Sequence, residues 1–233
     1  MTLEEYFGDW LKVIDKQELF KVVNIINNLY KVKSCEPSYN NIFKAFNITP
    51  YNNLKLIMLA MDPYPQKDIS TGIAFANKKD VVKLSPSLEV LKESIIDFEI
   101  PHNLITFDPT LEEVSKQGVL FLNSALTVET NKIGSHAYIW RPFISSLLKN
   151  LSLYNPGLIY VLWGNTAKSF ESFINEYNFV YKMPHPAYYA RTHTKIPHKF
   201  FVELNNMVYS HFGKRIEWFK EEKFIDNEEI YYC

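Results

Sequence analysis

Cysteine is scarce in this chain. There are only Cys35 and Cys233, far apart in sequence. That argues against a disulfide framework and against a thiolate zinc site. It suits a reducing compartment, so a cytoplasmic location is expected. Long apolar runs are missing too: none approaches the ~20 residues of a membrane span. The opening MTLEEYFGDWLKVIDKQ is acidic and has no apolar core, so it does not read as a signal peptide. An excess of either charge is also lacking. Lys and Arg number 25 against 26 Asp and Glu, for a net charge of -1. A chain coated in positive charge is thereby excluded, as is an acidic mimic of DNA. A local basic patch remains open. Internal repeats and low-complexity blocks are absent.

What is present is a core. Hydrophobic residues make up 47% and aromatics 15% of 233 residues, enough for one sizeable domain. Residues 3–30 show helical periodicity through Phe7, Leu11, Ile14, Val22, Ile25 and Leu29. Glu18 interrupts that stripe, so two shorter helices are the alternative. Four short apolar runs read as buried strands, at 54–61, 119–123, 158–164 and 179–186. Between them, 85–98, 140–151 and 165–177 read as helices, with Ser85 as the cap of the first, and 199–212 reads as a closing helix. The expected class is α/β, a single domain with a central four-stranded parallel sheet flanked by helices. Residues 1–50 form a helical part, 54–212 the core, and the acidic end 213–233 a solvated tail or a last helix.

Ligands of open α/β sheets bind at the carboxyl ends of the strands. The first strand ends in Asp62, the second in Asn123, the third in Trp163-Gly164 and the fourth in His185. A carboxylate, an amide and an imidazole are thus expected on one sheet edge. A carboxylate can orient water or stabilise a developing cation. An imidazole can donate a hydrogen bond to a developing oxyanion. An amide can read a planar heterocycle, and Phe75 offers a flat face for stacking. The set suits cleavage of the bond between a nucleobase and a sugar.

The sequence resembles the family 1 uracil-DNA glycosylases. Their GQDPYH appears as Ala60-Met61-Asp62-Pro63-Tyr64-Pro65. GIAF at 72–75 is similar to their GLAF, and SPSL at 85–88 to their PPSL. KQGVLFLNSALTV at 116–128 is similar to QGVLLLNTVLTV, and Ser135-His136 to the SH that follows it. VLWGNTAK at 161–168 is similar to LLWGSHAQ, His185-Pro186 to the start of HPSPLS, and NIFKAF at 41–46 to VFNAF. The resemblance implies a monofunctional DNA glycosylase without cofactor or metal, acting on a flipped-out pyrimidine. Asp62 would orient water and stabilise the sugar cation. His185 would hold the pyrimidine O2, Asn123 would read the N3–O4 edge, and Phe75 would stack. Tyr64 would exclude a C5 methyl, and the main chain at Met61 would bond the base or its phosphate. Ser87, at a helix start, would hold a DNA phosphate. The implied partner is DNA, bound by a monomer, with a protein glycosylase inhibitor as a second partner.

The departures fall on the rim. Pro65 replaces a histidine and Met61 a glutamine. After His185 the family's serines and leucine wedge give way to Ala187-Tyr188-Tyr189-Ala190-Arg191. Tyr189 falls where the leucine would stand, and a loop carrying both tyrosines is expected to enter the groove. Arg191 and Lys195 would replace the lost phosphate contacts. Taken singly, each residue has a plainer reading: Asp62 a helix cap, Asn123 a turn residue, Phe75 and Tyr64 core, His185 a structural histidine, 191–199 a solvated face. Their joint spacing favours the site. Two other functions remain open at this stage, the same chemistry on a hypermodified cytosine of phage DNA and a non-catalytic DNA-binding subunit.

Overall fold

Asp15 divides the first expected helix. The computed structural model describes residues 2–96 and 105–221. It begins with a one-turn helix, Leu3–Phe7, and a 3-10 turn, Gly8–Lys12. Asp15 then accepts hydrogen bonds from the N–H groups of Gln17 and Glu18 and caps α1, Lys16–Val32. Glu18 lies in the first turn of α1, where its carboxylate suits the positive end of the helix dipole. The buried line of α1 is Leu19, Val22 and Ile26, whereas Ile25 faces solvent, contrary to the expected stripe.

The sheet has four strands: β1 Leu56–Ala60, β2 Val119–Asn123, β3 Ile159–Trp163 and β4 Phe179–Met183. Their order is β2-β1-β3-β4 and every neighbouring pair is parallel. This is the expected α/β class. The fourth strand stops earlier than expected, because Pro184 has no N–H for the ladder. β1, β2 and β3 are buried throughout, yet their side chains still alternate. Ile57, Leu59, Leu120, Leu122, Tyr160 and Leu162 pack on one face with α1 and α3, Ala137–Tyr154. Leu56, Met58, Val119, Phe121, Val161 and Trp163 pack on the other, against α2, Pro86–Ile96, and α5, Phe200–Phe212. Burial on both faces explains why the strands read as unbroken apolar runs.

The other differences have local causes. The helix expected over 165–177 is only Gly164–Lys168. Arg141 takes the hydroxyl and carbonyl of Ser169 at 3.0 and 3.2 Å and lies over the ring of Phe170, which turns the chain inward. A helix not expected, α4, Pro186–Thr192, follows His185 directly. The acidic end is folded at its start: Ile216 and Trp218 are buried, and Lys220–Glu221 pairs antiparallel with Ile105–Thr106. Positions 97–98 of the expected second helix and 222–233 of the tail, including Cys233, lie outside the described residues. Cys35 is a free thiol. Among the described residues no helix is long and apolar enough to cross a membrane.

Gly118 sets the start of the sheet. Its φ is +99°, and a Cβ there would lie 1.9 Å from the Asn53 carbonyl oxygen. Its own carbonyl accepts the N–H groups of Lys55 and Leu56 at 2.9 and 3.2 Å, bringing β1 beside β2. Gly118→Ala should therefore destabilise the protein by at least ~1–3 kcal/mol, the strain of a left-handed non-glycine residue before the clash is added. Urea unfolding measures this, and an unchanged midpoint would contradict the close approach.

Candidate active site

The parallel register brings the carboxyl ends of the strands level. Ala60 stands opposite Asn123, and Trp163 opposite Met183. Backbone pairing continues past the strands. Ser124 N–H donates to Ala60 O and Ala125 N–H to Met61 O, both at 3.0 Å, and Ser124 Oγ–H also donates to Met61 O at 2.7 Å. The turn carrying Asp62 is thereby tied to the turn after β2. A third segment closes over it. Gly134 N–H donates to Asp62 Oδ2 at 2.6 Å, and Asn131 N–H to Pro65 O at 2.8 Å. One carboxylate oxygen is held, and among the described residues Oδ1 has no hydrogen-bond partner. Burial pushes the Asp62 carboxyl above its ordinary value, and the Gly134 N–H partly opposes this.

Pro63 and Pro65 fix φ on both sides of Tyr64. The Tyr64 hydroxyl donates to the Phe75 carbonyl at 3.0 Å and lies 2.6 Å from Ser85 Oγ. Burial pushes the phenol up to about 12, against the opposing effect of the Ser85 and Ser87 hydroxyls. Phe75 adopts a φ of +67°, unusual for a residue with a side chain. Its buried ring lies 5.7 Å from the His185 ring and 6.3 Å, edge to face, from Trp163.

His185 caps α4. Its Nδ1 accepts the Ala187 N–H at 3.2 Å, and Pro186 takes the first helical position. The ring proton therefore sits on Nε2, which is left as a donor. Burial holds the imidazole below its ordinary value, so it is neutral at pH 7. Gly164, at φ +84°, has no side chain to displace it; a Cβ there would come 3.0 Å from His185 Cβ. Asn123 is 6% exposed, and its Oδ1 is buried without a partner.

These groups line one cavity of about 480 Å³. Of the residues singled out in the sequence, Met61, Asp62, Tyr64, Phe75, Ser87, Asn123, His185, Tyr188 and Arg191 all reach it. Lys195 is exposed and is not among the lining residues. Tyr189 is a correction: its side chain is 6% exposed and packs with Trp163 and Phe200 in the core cluster, whereas Tyr188 is 45% exposed on the cavity rim. The reason is that residues 186–192 are helical, so neighbouring side chains diverge by about 100° and only one can point out. Gly134 and Ile133 were not anticipated. The turn-like Asn131-Lys132-Ile133-Gly134 before Ser135-His136 was the available signal. His136 is buried with its Nδ1 2.8 Å from Thr127 Oγ1, and it serves the loop rather than the cavity. A second cavity, about 470 Å³, lies beneath α1 among Phe7, Phe20, Val23, Phe43 and Trp140. It is lined by no carboxylate or imidazole, so size alone does not mark the site. Among the described residues, no three His, Cys, Asp or Glu side chains are placed to hold a metal ion.

The family described as Uracil DNA glycosylase superfamily matches residues 46–208. A Fusobacterium nucleatum subsp. nucleatum protein named uracil-DNA glycosylase is 33% identical over 227 residues, covering 94% of this chain and 98% of that one. A Campylobacter lari protein of the same name is 40% identical over 169 residues, 71% of this chain and 72% of that one. Among solved structures, mimivirus uracil-DNA glycosylase superposes with a TM-score of 0.71 at 21% identity, covering 93% of this chain and 91% of that one. A mimivirus UNG variant in complex with UGI has the same TM-score at 20% identity and 93% coverage of both chains.

The His185 geometry makes a prediction that needs no substrate. Nitrogen-15 spectra should show a neutral ring at pH 7 with its proton on Nε2, and a titration midpoint below about 6.5. A midpoint above that value, or a proton on Nδ1, would contradict the cap.

Proposed function

The chain belongs to the uracil-DNA glycosylase superfamily and is a DNA glycosylase, and on that premise we propose how it cleaves the N-glycosidic bond of a flipped-out deoxyuridine. The choice of base rests on the relatives named uracil-DNA glycosylase, and the buried, unpartnered Asn123 Oδ1 suits it. Such an acceptor costs ~1–3 kcal/mol until a donor reaches it. The N3–H of uracil is a donor, whereas N3 of cytosine is an acceptor. Uracil meets this acceptor with N3–H and offers O4 to the amide N–H, whereas cytosine would meet it through the N4 amino group with N3 on the amide N–H, so Asn123 suits uracil without selecting it alone. A C5 substituent, as in hypermodified cytosine, would meet Tyr64, and neither that reading nor a purely DNA-binding role has an observation in its favour.

In the proposed reaction the C1′–N1 bond breaks with its electron pair passing into the pyrimidine. Negative charge gathers on O2, where the Nε2–H of neutral His185 donates to it. Positive charge gathers on the sugar, where the Asp62 carboxylate stabilises it. The same carboxylate orients a water whose oxygen bonds C1′; the O–H bond that breaks gives up its proton, which the uracil anion takes up, leaving free uracil and an abasic site for base excision repair. Phe75 stacks on the base and Tyr64 faces C5. No lysine lines the cavity among the described residues, which supports hydrolysis over an amine-linked lyase reaction.

On the DNA side, Ser87 at the start of α2 and Arg191 are proposed phosphate contacts, with Lys195 adding charge beyond the cavity. The exposed Tyr188, rather than Tyr189, is the proposed wedge that stacks in the gap left by the flipped base. Flipping costs a few kcal/mol, and stacking returns ~1–3 kcal/mol per base. We place the enzyme in the cytoplasm with its DNA, working as a single-domain monomer. A protein glycosylase inhibitor would compete for the same cleft.

Base release under single turnover tests this on oligonucleotides carrying uracil, only natural bases, or glucosylated hydroxymethylcytosine. Release from the uracil strand alone is expected, and release only from the modified strand would overturn the choice of base. Asp62→Asn should slow release by at least ~10²-fold with DNA binding retained; an unchanged rate would remove the role of Asp62. Tyr188→Ala should slow duplex substrates more than single strands, while equal losses on both would remove the wedge.

A further inference from the structure

We propose that Ser85 is a positioning residue for specificity: its hydroxyl fixes the Tyr64 phenol and so sets the width of the pocket at C5 of the base. The inference rests on the uracil reading above, in which Tyr64 faces C5.

The direction of each hydrogen bond follows from the chemistry of its partners. A phenol has one hydrogen. The Phe75 carbonyl, 3.0 Å from the Tyr64 hydroxyl, can only accept, so the Tyr64 hydrogen goes there. Ser85 Oγ, 2.6 Å away, must then donate to the phenol oxygen. Ser85 is itself held from behind. Its N–H donates to Asn77 Oδ1 at 2.7 Å. Asn77 is 2% exposed, and its own N–H donates to Pro109 O at 2.8 Å. Ser85 thus donates twice, by its N–H to Asn77 and by its hydroxyl to Tyr64, and the Tyr64 hydrogen passes on to the main chain of Phe75.

The plainer role for Ser85 is to cap α2 with its side chain. Its carbonyl does accept the Glu89 N–H at 2.9 Å, as a residue preceding a helix should. The hydroxyl, however, is engaged with Tyr64. The relay also joins two walls of the cavity. Tyr64 closes one side, and Phe75, held at a φ of +67°, presents the ring that packs on His185. Without the Ser85 hydroxyl the phenol loses its closest partner and keeps the Phe75 carbonyl, with the Ser87 hydroxyl beside it, and the wall can yield to a larger base. In the family's PPSL a proline stands at this position. Proline offers neither hydroxyl nor N–H, so both contacts of Ser85 distinguish this chain from that pattern.

The test uses full-length protein and duplexes carrying one uracil, one 5-fluorouracil or one thymine opposite guanine. Single-turnover release is measured for the wild type, Ser85→Ala, Ser85→Thr, Tyr64→Phe and the double variant Ser85→Ala/Tyr64→Phe. In Ser85→Ala the rates on the two 5-substituted bases should rise relative to uracil by about fivefold, the effect of one neutral hydrogen bond. Ser85→Thr, which keeps the hydroxyl, should restore the wild-type ratio. In the Tyr64→Phe background, Ser85→Ala should add nothing further, since the phenol oxygen is its only route of action. A helix cap alone predicts equal losses on all three bases, and that outcome would overturn the proposal. So would additive effects in the double variant. A wild type that leaves uracil in place would refute the assigned reaction and the inference with it, whereas uracil release with unchanged ratios would refute the inference alone.

Discussion

Everything in the site hangs on how the backbone is paired at the carboxyl edge of β1. The ladder between β1 and β2 ends at Ala60 and Asn123, but its hydrogen bonds do not. They run on through Ser124 and Ala125 to the carbonyls of Ala60 and Met61. Two turns that would otherwise be independent become one unit. Asp62 leaves that unit at an angle fixed by Pro63, and Asn123 leaves it from the partner strand. A carboxylate and an amide are therefore positioned by main-chain bonds in a buried sheet. Such bonds are among the last to open in a folded protein.

The electrostatics follow from that burial. Removing water raises the carboxyl of Asp62 and lowers the imidazole of His185. Both shifts favour the neutral form, yet hydrogen bonds treat the two groups differently. Asp62 accepts the Gly134 N–H, which favours its anion. His185 accepts the Ala187 N–H at Nδ1, a contact available only to the neutral ring. The local main chain thus sorts one anion and one neutral donor into a shared cavity. An anion stabilises a sugar cation, and a neutral donor lets charge build on the leaving base without first neutralising it.

Much of this was legible in the residues. The strands were readable because burial on both faces makes them continuous apolar runs, and the chemistry sits where those runs stop. Asp62, Asn123 and His185 could each be placed at a strand end without coordinates. The helix after His185 was not read, although histidine followed by proline is a cap and a first helical position. The helix expected over 165–177 stops at Lys168, and the residues that follow it are held by Arg141, a residue from another helix. At Gly134 the turn is legible but its partner is not, because its N–H serves a carboxylate 72 positions earlier. Local pattern locates the ends of elements, whereas contacts between distant segments decide which groups at those ends are held.

The two adjacent tyrosines turn on this distinction. As an extended loop, 186–192 could present either ring, and position in the motif favours Tyr189. As a helix started by the His185 cap, it cannot present both. Tyr189 is committed to the cluster with Trp163 and Phe200, so Tyr188 is directed outward. The cap that fixes the tautomer of His185 thereby also fixes which aromatic ring meets the solvent beside it. In the proposed reaction, recognition of DNA and the chemistry on the base share one short helix, and its first hydrogen bond orients the residues assigned to both.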